Sequence, residues 1–458
     1  MAARARQRLS SAEAARRLGV KPATLYAYVS RGLLRSERAP GRRTSTFDPA
    51  EVERLTRRSR RRALAAPELV IASELTSIDG GKLRYRGLDA AELAGRYSFE
   101  RVAELLWTGR LGEGGPWRPD PAAVAVATAC QDALPAGTLP LDRLRVAAAA
   151  LAASDELRFE LHPSAVVATG RALIAGLVES LPELGPAAGA ATGSARRERW
   201  SGDAGEQPAP PGGAAQPHAW TVAARLWPRL CQSRPRPGMV AVLDAALVLA
   251  ADHELAASAV AARVAASVQA DPYAVVGAGL GAVSGALHGG LSLAAETLLA
   301  EIGTPERATR VIGDRLRWGE QVPGLGHSLY PDGDPRAACL LDRLGRAAAG
   351  GPGGSRSEAV APRWTEGSRR LAVVEAVADA VGRRRLPAPN VDFALAALAF
   401  VAGMTRGAAE TVFAVARIAG WLAHALEEYE RRTPIRPRAL YTGPPANQLP
   451  RRRGSAAE

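Results

Sequence analysis

Ala251-Asp252-His253-Glu254, Leu287-His288-Gly289-Gly290, Gly324-Leu325-Gly326-His327 and Asn390-Val391-Asp392 are four short islands of chemistry in a sequence otherwise rich in Ala and Leu. Three of the chain's six histidines fall within them. A histidine able to act as acid or hydrogen-bond donor, set against a remote aspartate able to act as base, is the equipment for chemistry at a carbon acid. Between the islands, apolar residues recur at spacings of three and four, and aromatics make up only 5% of the chain. That pattern predicts helix rather than sheet, so the expected fold class is all-α.

The length of 458 residues is too great for one small core and predicts two or three folding units. No run of about 18 apolar residues occurs, and the Arg-rich N-terminus has no apolar segment, so neither a membrane span nor a secretory signal is expected. The three cysteines, Cys130, Cys231 and Cys339, are odd in number and far apart. They make a disulfide framework or a paired-cysteine metal site an unsuitable reading and point to a reducing cytoplasm.

Charge divides the chain unevenly. Residues 1–62 carry 17 Lys/Arg against 5 Asp/Glu, whereas the remaining 396 residues are close to neutral. A positive field confined to one terminal module suits a polyanion, and nucleic acid fits better than a membrane because no amphipathic anchor accompanies it. Within the module, Ser10-Ser11-Ala12-Glu13 has the form of a capping box. The helix it opens runs through Ala14, Ala15 and Leu18 and stops at Gly19. Pro22 then suits the first turn of a second helix through Leu25, Tyr26, Tyr28 and Val29, ending at Gly32. Two short helices joined by a Gly-containing turn form a helix-turn-helix.

Leu9 to Leu55 resembles the MerR-type winged helix-turn-helix, with Gly41-Arg42-Arg43 as the wing and Phe47 to Leu55 as a following helix. The resemblance implies that Lys21, Thr24, Tyr26, Tyr28 and Arg31 lie on or near the face entering the major groove, and that Arg42 and Arg43 meet phosphate. The plainer alternative is a solvated basic cap or a protein-docking module. MerR-type regulators usually continue into a long dimerising helix, whereas here Arg57 to Arg62 leads through Ala-Leu-Ala-Ala-Pro into a different sequence.

That second sequence opens with Ile78-Asp79-Gly80-Gly81, Arg84-Tyr85-Arg86-Gly87 and Phe99-Glu100-Arg101-Val102-Ala103-Glu104-Leu105-Leu106. The four islands follow in order, together with Asp334-Pro335-Arg336, Pro389, Ala416-Arg417 and Arg436-Pro437. Over about residues 70–445 this ordered set resembles the citrate synthase family. The resemblance implies a large helical domain (70–285 and 395–445) and a small one (286–394), closing over the site in a two-fold homodimer. A module at 1–62 and a linker at 63–69 precede them. Pro186 to Pro217 and Ala347 to Arg363, rich in Gly, Ala and Pro, read as flexible insertions, and 446–458 as a disordered tail.

The resemblance also implies roles. Asp392 is the base that removes a proton from an acyl-CoA, and His288 is the donor at the thioester carbonyl. His327 polarises the carbonyl of oxaloacetate, the 2-oxo acid partner. Arg336, Arg417 and Arg436 hold its carboxylates with planar forks, His253 adds a contact, and Arg436 reaches in from the other subunit. The backbone of Val322, Gly324, Leu325 and Gly326 cradles the adenine portion of CoA. The implied partners are acetyl-CoA or propionyl-CoA and oxaloacetate, with no metal or redox cofactor.

Taken alone, the residues have plainer readings. A single histidine in an Ala-rich helix is more often a hydrogen-bonded core residue than a catalyst, and a structural role is the reading for His162, His218 and His424. Asp252-His253-Glu254 stands 35 residues from His288 and lacks a paired ligand turn, so no metal site is expected. Three departures from the family pattern stand out: Leu291-Ser292 where Ala-Asn is common, Ser328 where Arg often follows the histidine, and Pro331 where a basic residue is common. Three functions remain open: the condensing enzyme, a DNA-binding regulator that uses the enzyme-like body as a metabolite sensor, and a docking protein with neither activity.

Overall fold

The computed structural model describes residues 9–18, 25, 28–29, 34–38, 45–49, 51–52, 70–184, 220–348, 366–439 and 441. The insertions expected at 186–217 and 347–363 lie almost wholly outside these residues, as do the linker at 63–69, the tail at 446–458 and His218. The chain forms two compact units, Met1–Ala72 and Ser73–Glu458. Among the described residues no helix is long and apolar enough to cross a membrane.

In the first unit, β1 (Leu9–Ser10), β2 (Ser36–Arg38) and β3 (Ser45–Phe47) form an antiparallel sheet in the order β1-β3-β2, with α1 (Ser11–Leu18) following β1. The capping box forms: Ser10 Oγ accepts from the Glu13 amide at 3.3 Å, and the Glu13 carboxylate accepts from the Ser10 amide at 2.9 Å. Leu9, Ala14, Ala15, Leu25, Leu34, Phe47 and Val52 make a small core. Phe47, expected to open a helix, instead ends β3, where strand pairing with Leu9 and Ser36 turns its ring into that core. Tyr28 is half-buried and packs on the same cluster. Lys21, Thr24, Tyr26, Arg31, Arg42 and Arg43 lie outside the described residues.

The second unit is helical, apart from a small antiparallel sheet at its start, β4 (Thr76–Asp79), β5 (Lys82–Tyr85) and β6 (Leu88–Asp89). Asp79 faces Lys82 across a two-residue turn in which Gly80 and Gly81 have φ of +57° and +72°, a conformation that glycine adopts without strain. The helices are α2 (Ala90–Arg96), α3 (Phe99–Thr108), α4 (Pro121–Asp132), α5 (Pro140–Ala153), α6 (Pro163–Ser180), α7 (Val222–Leu230), α8 (Met239–Ala250), α9 (Ala257–Ser267), α10 (Pro272–Val283), α11 (Gly290–Ile302), α12 (Ala308–Arg317), α13 (Pro335–Ala348), α14 (Glu366–Arg383), α15 (Val391–Ala402) and α16 (Ala408–Arg431). Their starts follow local chemistry. Asp89, Asp120, Thr221, Asp271 and Asn390 accept hydrogen bonds from the first-turn amides, and proline opens α4, α5, α6 and α10.

One continuous apolar core serves this unit. Its axis is α16, in which 20 of 24 residues are buried, packed against α3, α6, α8, α9, α10 and α15. The burial extends to a polar stripe, Glu410, Arg417, His424 and Glu428. The first three are seven residues apart and therefore share a face. Such groups need partners inside the protein, and the site grows from those partners.

Candidate active site

The first wall is the segment that leaves α8. Tyr85, fully buried, sets its hydroxyl 3.0, 3.1 and 3.2 Å from the carbonyls of Val248, Leu249 and Asp252. The Asp252 carboxylate accepts from Thr76 Oγ1 at 2.5 Å and lies 3.2 Å from His424 Nε2. Arg263 donates to His424 Nδ1 at 2.5 Å and is itself paired with Glu427 and Glu428. An arginine has no lone pair to offer, so the His424 proton sits on Nε2, toward Asp252. Burial alone would raise the Asp252 carboxyl, but His424, Arg417 and the Thr76 hydroxyl outweigh it and hold the group below its usual range. His424 is thus buried between Arg263 and Asp252, the residue that precedes His253.

His253 is buried, with Nε2 3.0 Å from the hydroxyl of Tyr330. Its ring centroid is 5.1 Å from that of His327 in an edge-to-face arrangement, and Tyr330 completes a cluster of three rings, 5.0 Å from His327 and 5.6 Å from His253. His327 comes from the loop 322–327, whose course depends on glycine. Gly324 and Gly326 both have φ of +79°, and a Cβ on Gly324 would stand 2.7 Å from Cβ of Phe393. The loop is fastened to the approach to α15. The Gly326 amide donates to the Ala388 carbonyl, the Asn390 amide donates to Gly324, and Asn390 Nδ2 donates to Gly326, all within 2.9 Å. Val322 and Gly324 are buried, and Leu325 and Gly326 half-buried.

Asn390 has a second function. Its Oδ1 accepts from the amides of Asp392 and Phe393, capping α15 and setting Asp392 in the first turn. Asp392 Oδ1 accepts from Ser292 Oγ at 2.5 Å, across to the first turn of α11. His288, in the turn just before α11, has Nε2 2.8 Å from the buried Ser258 hydroxyl and its ring 5.5 Å from Phe413.

Two arginines are buried beneath these groups. Arg336 is forked onto Asp334, with Nε donating at 2.9 Å and Nη2 at 2.8 Å, and its guanidinium lies 5.4 Å from the Tyr330 ring. Asp334 also accepts from the Val391 amide, so one carboxylate ties Arg336 to the start of α15. Arg417 donates from Nε to the Ala250 carbonyl at 2.8 Å, while its buried Nη1 has no partner. Leaving a charged donor unpaired in the interior is costly, and an anionic oxygen placed there would remove that cost.

The electrostatics follow from this pair. Burial, Arg336, Arg417 and His327 hold His253 far below the usual imidazole range. Burial pushes His288 down to about 4, with Arg417 adding to the effect. His327 is lowered by burial and Arg336 against the opposing pull of Asp334. All three lowered imidazoles favour the neutral form near pH 7, in which each ring carries one N–H donor and no positive charge. Burial raises Asp392, against Ser292, Arg336 and Arg417, which pull it back. A carboxylate raised in this way keeps more affinity for a proton than one at the surface has.

Six of the seven residues read from the sequence as the primary site thus converge: His253, His288, His327, Arg336, Asp392 and Arg417. Arg436 does not join them within its own chain, lying exposed in the segment after α16. His162 is exposed at the start of α6, beside Ser164, and takes no part. Sequence reading missed Tyr330, Ser258, Ser292 and the anchoring role of Asp334. Two of these carried a visible signal, since Ser292 stands four residues after His288 and Asp334 two before Arg336.

Fold and site together define a helical enzyme with a neutral-imidazole and carboxylate centre above a cationic floor. Residues 67–438 match the model described as citrate synthase, C-terminal domain, and residues 9–59 the model described as MerR HTH family regulatory protein. The chain belongs to the citrate synthase family. It is 31% identical to citrate synthase 2 of Bacillus subtilis, over 81% of this chain and 93% of the relative. It is 29% identical to 2-methylcitrate synthase of Mycobacterium tuberculosis, over 80% and 86%. The fold also matches that of citrate synthase from Thermoplasma acidophilum, solved as a ternary complex with carboxymethyl coenzyme A and oxaloacetate. The TM-score is 0.62 at 23% identity, covering 84% of this chain and 96% of that one.

Proposed function

We propose that the protein condenses acetyl-CoA or propionyl-CoA with oxaloacetate, giving citrate or 2-methylcitrate and free CoA. Asp392 takes a proton from the carbon next to the thioester carbonyl while His288 donates to the developing enolate oxygen. The new carbanion equivalent attacks the oxaloacetate carbonyl, polarised by His327, and water then cleaves the thioester, drawing the reaction forward. Arg417 and Arg336, with His253, hold the carboxylates, and the backbone of 322–326 receives CoA. The observation that carries the reading is the unpaired, buried Nη1 of Arg417 beside three neutral imidazoles and one raised carboxylate. Thiol release from acetyl-CoA and propionyl-CoA, each with a panel of 2-oxo acids, tests it. Release should require oxaloacetate and vanish in Asp392→Ala, whereas a dimer inactive with every pair refutes it.

The exposed Arg436 supports a homodimer in which this residue completes the partner's site, with 286–394 as the small domain and 70–285 with 395–445 as the large one. The three cysteines are free thiols, which suits the cytoplasm. The match at residues 9–59 favours a second function that the same chain can carry, DNA binding controlled by occupancy of the site. A two-fold dimer would offer two modules to a pseudo-palindromic operator. An electrophoretic shift on upstream DNA that survives removal of residues 1–62 would rule out this assignment.

A further inference from the structure

We propose that Ser292 is the positioning residue of the base: its hydroxyl holds the Asp392 carboxylate in one orientation and keeps it ionised among apolar helices. The inference rests on Asp392 being the base. A serine in the first turn of a helix ordinarily turns its hydroxyl to its own backbone. Here the hydroxyl crosses from α11 to α15, 100 residues away in the chain, and donates at 2.5 Å to Oδ1. Ser292 has no solvent exposure and Asp392 is half-buried, so the serine hydroxyl itself has no water to turn to in place of the carboxylate.

The geometry makes the contact selective. Serine has one proton, and it is given to a single carboxylate oxygen, which leaves Oδ2 for the substrate proton. The Asp392 amide is already held by Asn390, so backbone cap and side-chain hydroxyl together remove the rotational freedom of the carboxylate. Ser292 also stands one turn after His288. The thioester-polarising ring and the group that aims the base thereby come from consecutive parts of the chain, the turn before α11 and the first turn of α11.

Charged groups on the neighbouring segments contribute to the balance. Arg336 from α13 and Arg417 from α16 favour the ionised carboxylate, and Asp334 opposes it. On α11 the next charged group is Glu296, whose oxygens accept from the amides of Gly407 and Ala409. Neither arginine is shown bonded to Asp392, because Arg336 is forked onto Asp334 and Arg417 donates to Ala250. The Ser292 hydroxyl is therefore the side-chain donor in direct contact with the base.

The test is the pH profile of kcat for thiol release in wild type, Ser292→Ala and Ser292→Thr, with thermal melting of each to check folding. Loss of a hydrogen bond to an ionised group corresponds to an upward shift of the acidic limb by about one pH unit or more in Ser292→Ala, with KM for the 2-oxo acid little changed. Ser292→Thr, which keeps the hydroxyl, should return the limb toward wild type; if its extra methyl prevents folding, Ser292→Ala decides alone. A Ser292→Ala enzyme whose acidic limb stays in place overturns the proposal, whether kcat is unchanged or falls equally at all pH. Asp392→Ala is run alongside. If it retains thiol release, the assignment of the base fails and the proposal with it. If it is inactive while the Ser292→Ala limb is unmoved, only the proposal fails.

Discussion

Gly420→Ala sets two opposing effects against each other. In the interior of a helix, alanine is favoured over glycine by about 1 kcal/mol, so propensity alone predicts a more stable protein. In α16, however, a Cβ at this position would stand 2.4 Å from Asp252 Oδ1, 2.6 Å from the Ala251 carbonyl oxygen and 2.9 Å from Asp252 Cβ. The Gly420 amide donates to that same carbonyl at 3.0 Å, so the two segments cannot part without losing a hydrogen bond. Overpacking costs about 1–3 kcal/mol, and contact with backbone on a doubly anchored residue belongs at the upper end. Subtracting the propensity gain leaves a net loss of about 2 kcal/mol. Gly313→Ala in α12, where nothing lies within 4 Å of the new Cβ, is the control and should gain up to about 1 kcal/mol. The assay is urea unfolding at fixed protein concentration, with KM for oxaloacetate measured on each variant. Because Asp252 precedes His253, Gly420→Ala should also raise that KM. A Gly420→Ala protein as stable as Gly313→Ala, with wild-type KM, refutes the claim that α16 and the 250–253 segment are in close contact here.

Other perturbations read separate parts of the site. Arg417→Lys keeps the charge but removes the planar fork, and calorimetry should show oxaloacetate binding weakened about 10–100-fold, the equivalent of one charge-assisted hydrogen bond. Asn390→Ala removes both the cap of α15 and the bond to Gly326, which predicts a loss of about 2 kcal/mol in denaturant stability. Glu410 is pushed up to about 7 by burial, with Asp142 and Glu296 adding to it. A carboxyl raised in the folded state favours folding at low pH and loses that contribution as pH rises through its folded value. Wild-type stability should therefore fall between about pH 5 and 7, and Glu410→Gln should flatten that slope in melts taken across the range.

The chemistry was more legible in the sequence than the scaffolding. His253, His288, His327 and Asp392 stand in short glycine- or cap-bearing islands, and glycine with φ of +79° at Gly324 and Gly326 leaves a readable trace. Arg336 and Arg417 became legible only through the family resemblance, because a lone arginine in a helix has no local signature. The strands at 76–89 went unread although Asp79-Gly80-Gly81 is a strong turn signal, since the Ala/Leu-rich pattern around them dominated. Ser258 and Ser292 could not be found from local pattern. Their partners lie 30 and 100 residues away, and only the packing of α9, α11 and α15 brings them together.

The polar stripe on α16 bears on how such a protein can change over time. From Glu410 to Glu428 it spans about 27 Å at the helical rise of 1.5 Å per residue. Three groups along it are matched to different neighbours: Arg417 to Ala250, His424 to Asp252 and Glu428 to Arg263. One residue inserted or deleted between 410 and 417 would turn everything beyond it by about 100° and strand three buried polar groups together. Length changes in descendants of this chain should therefore accumulate in the connections between helices, while α16 keeps its residue count even where its side chains are exchanged.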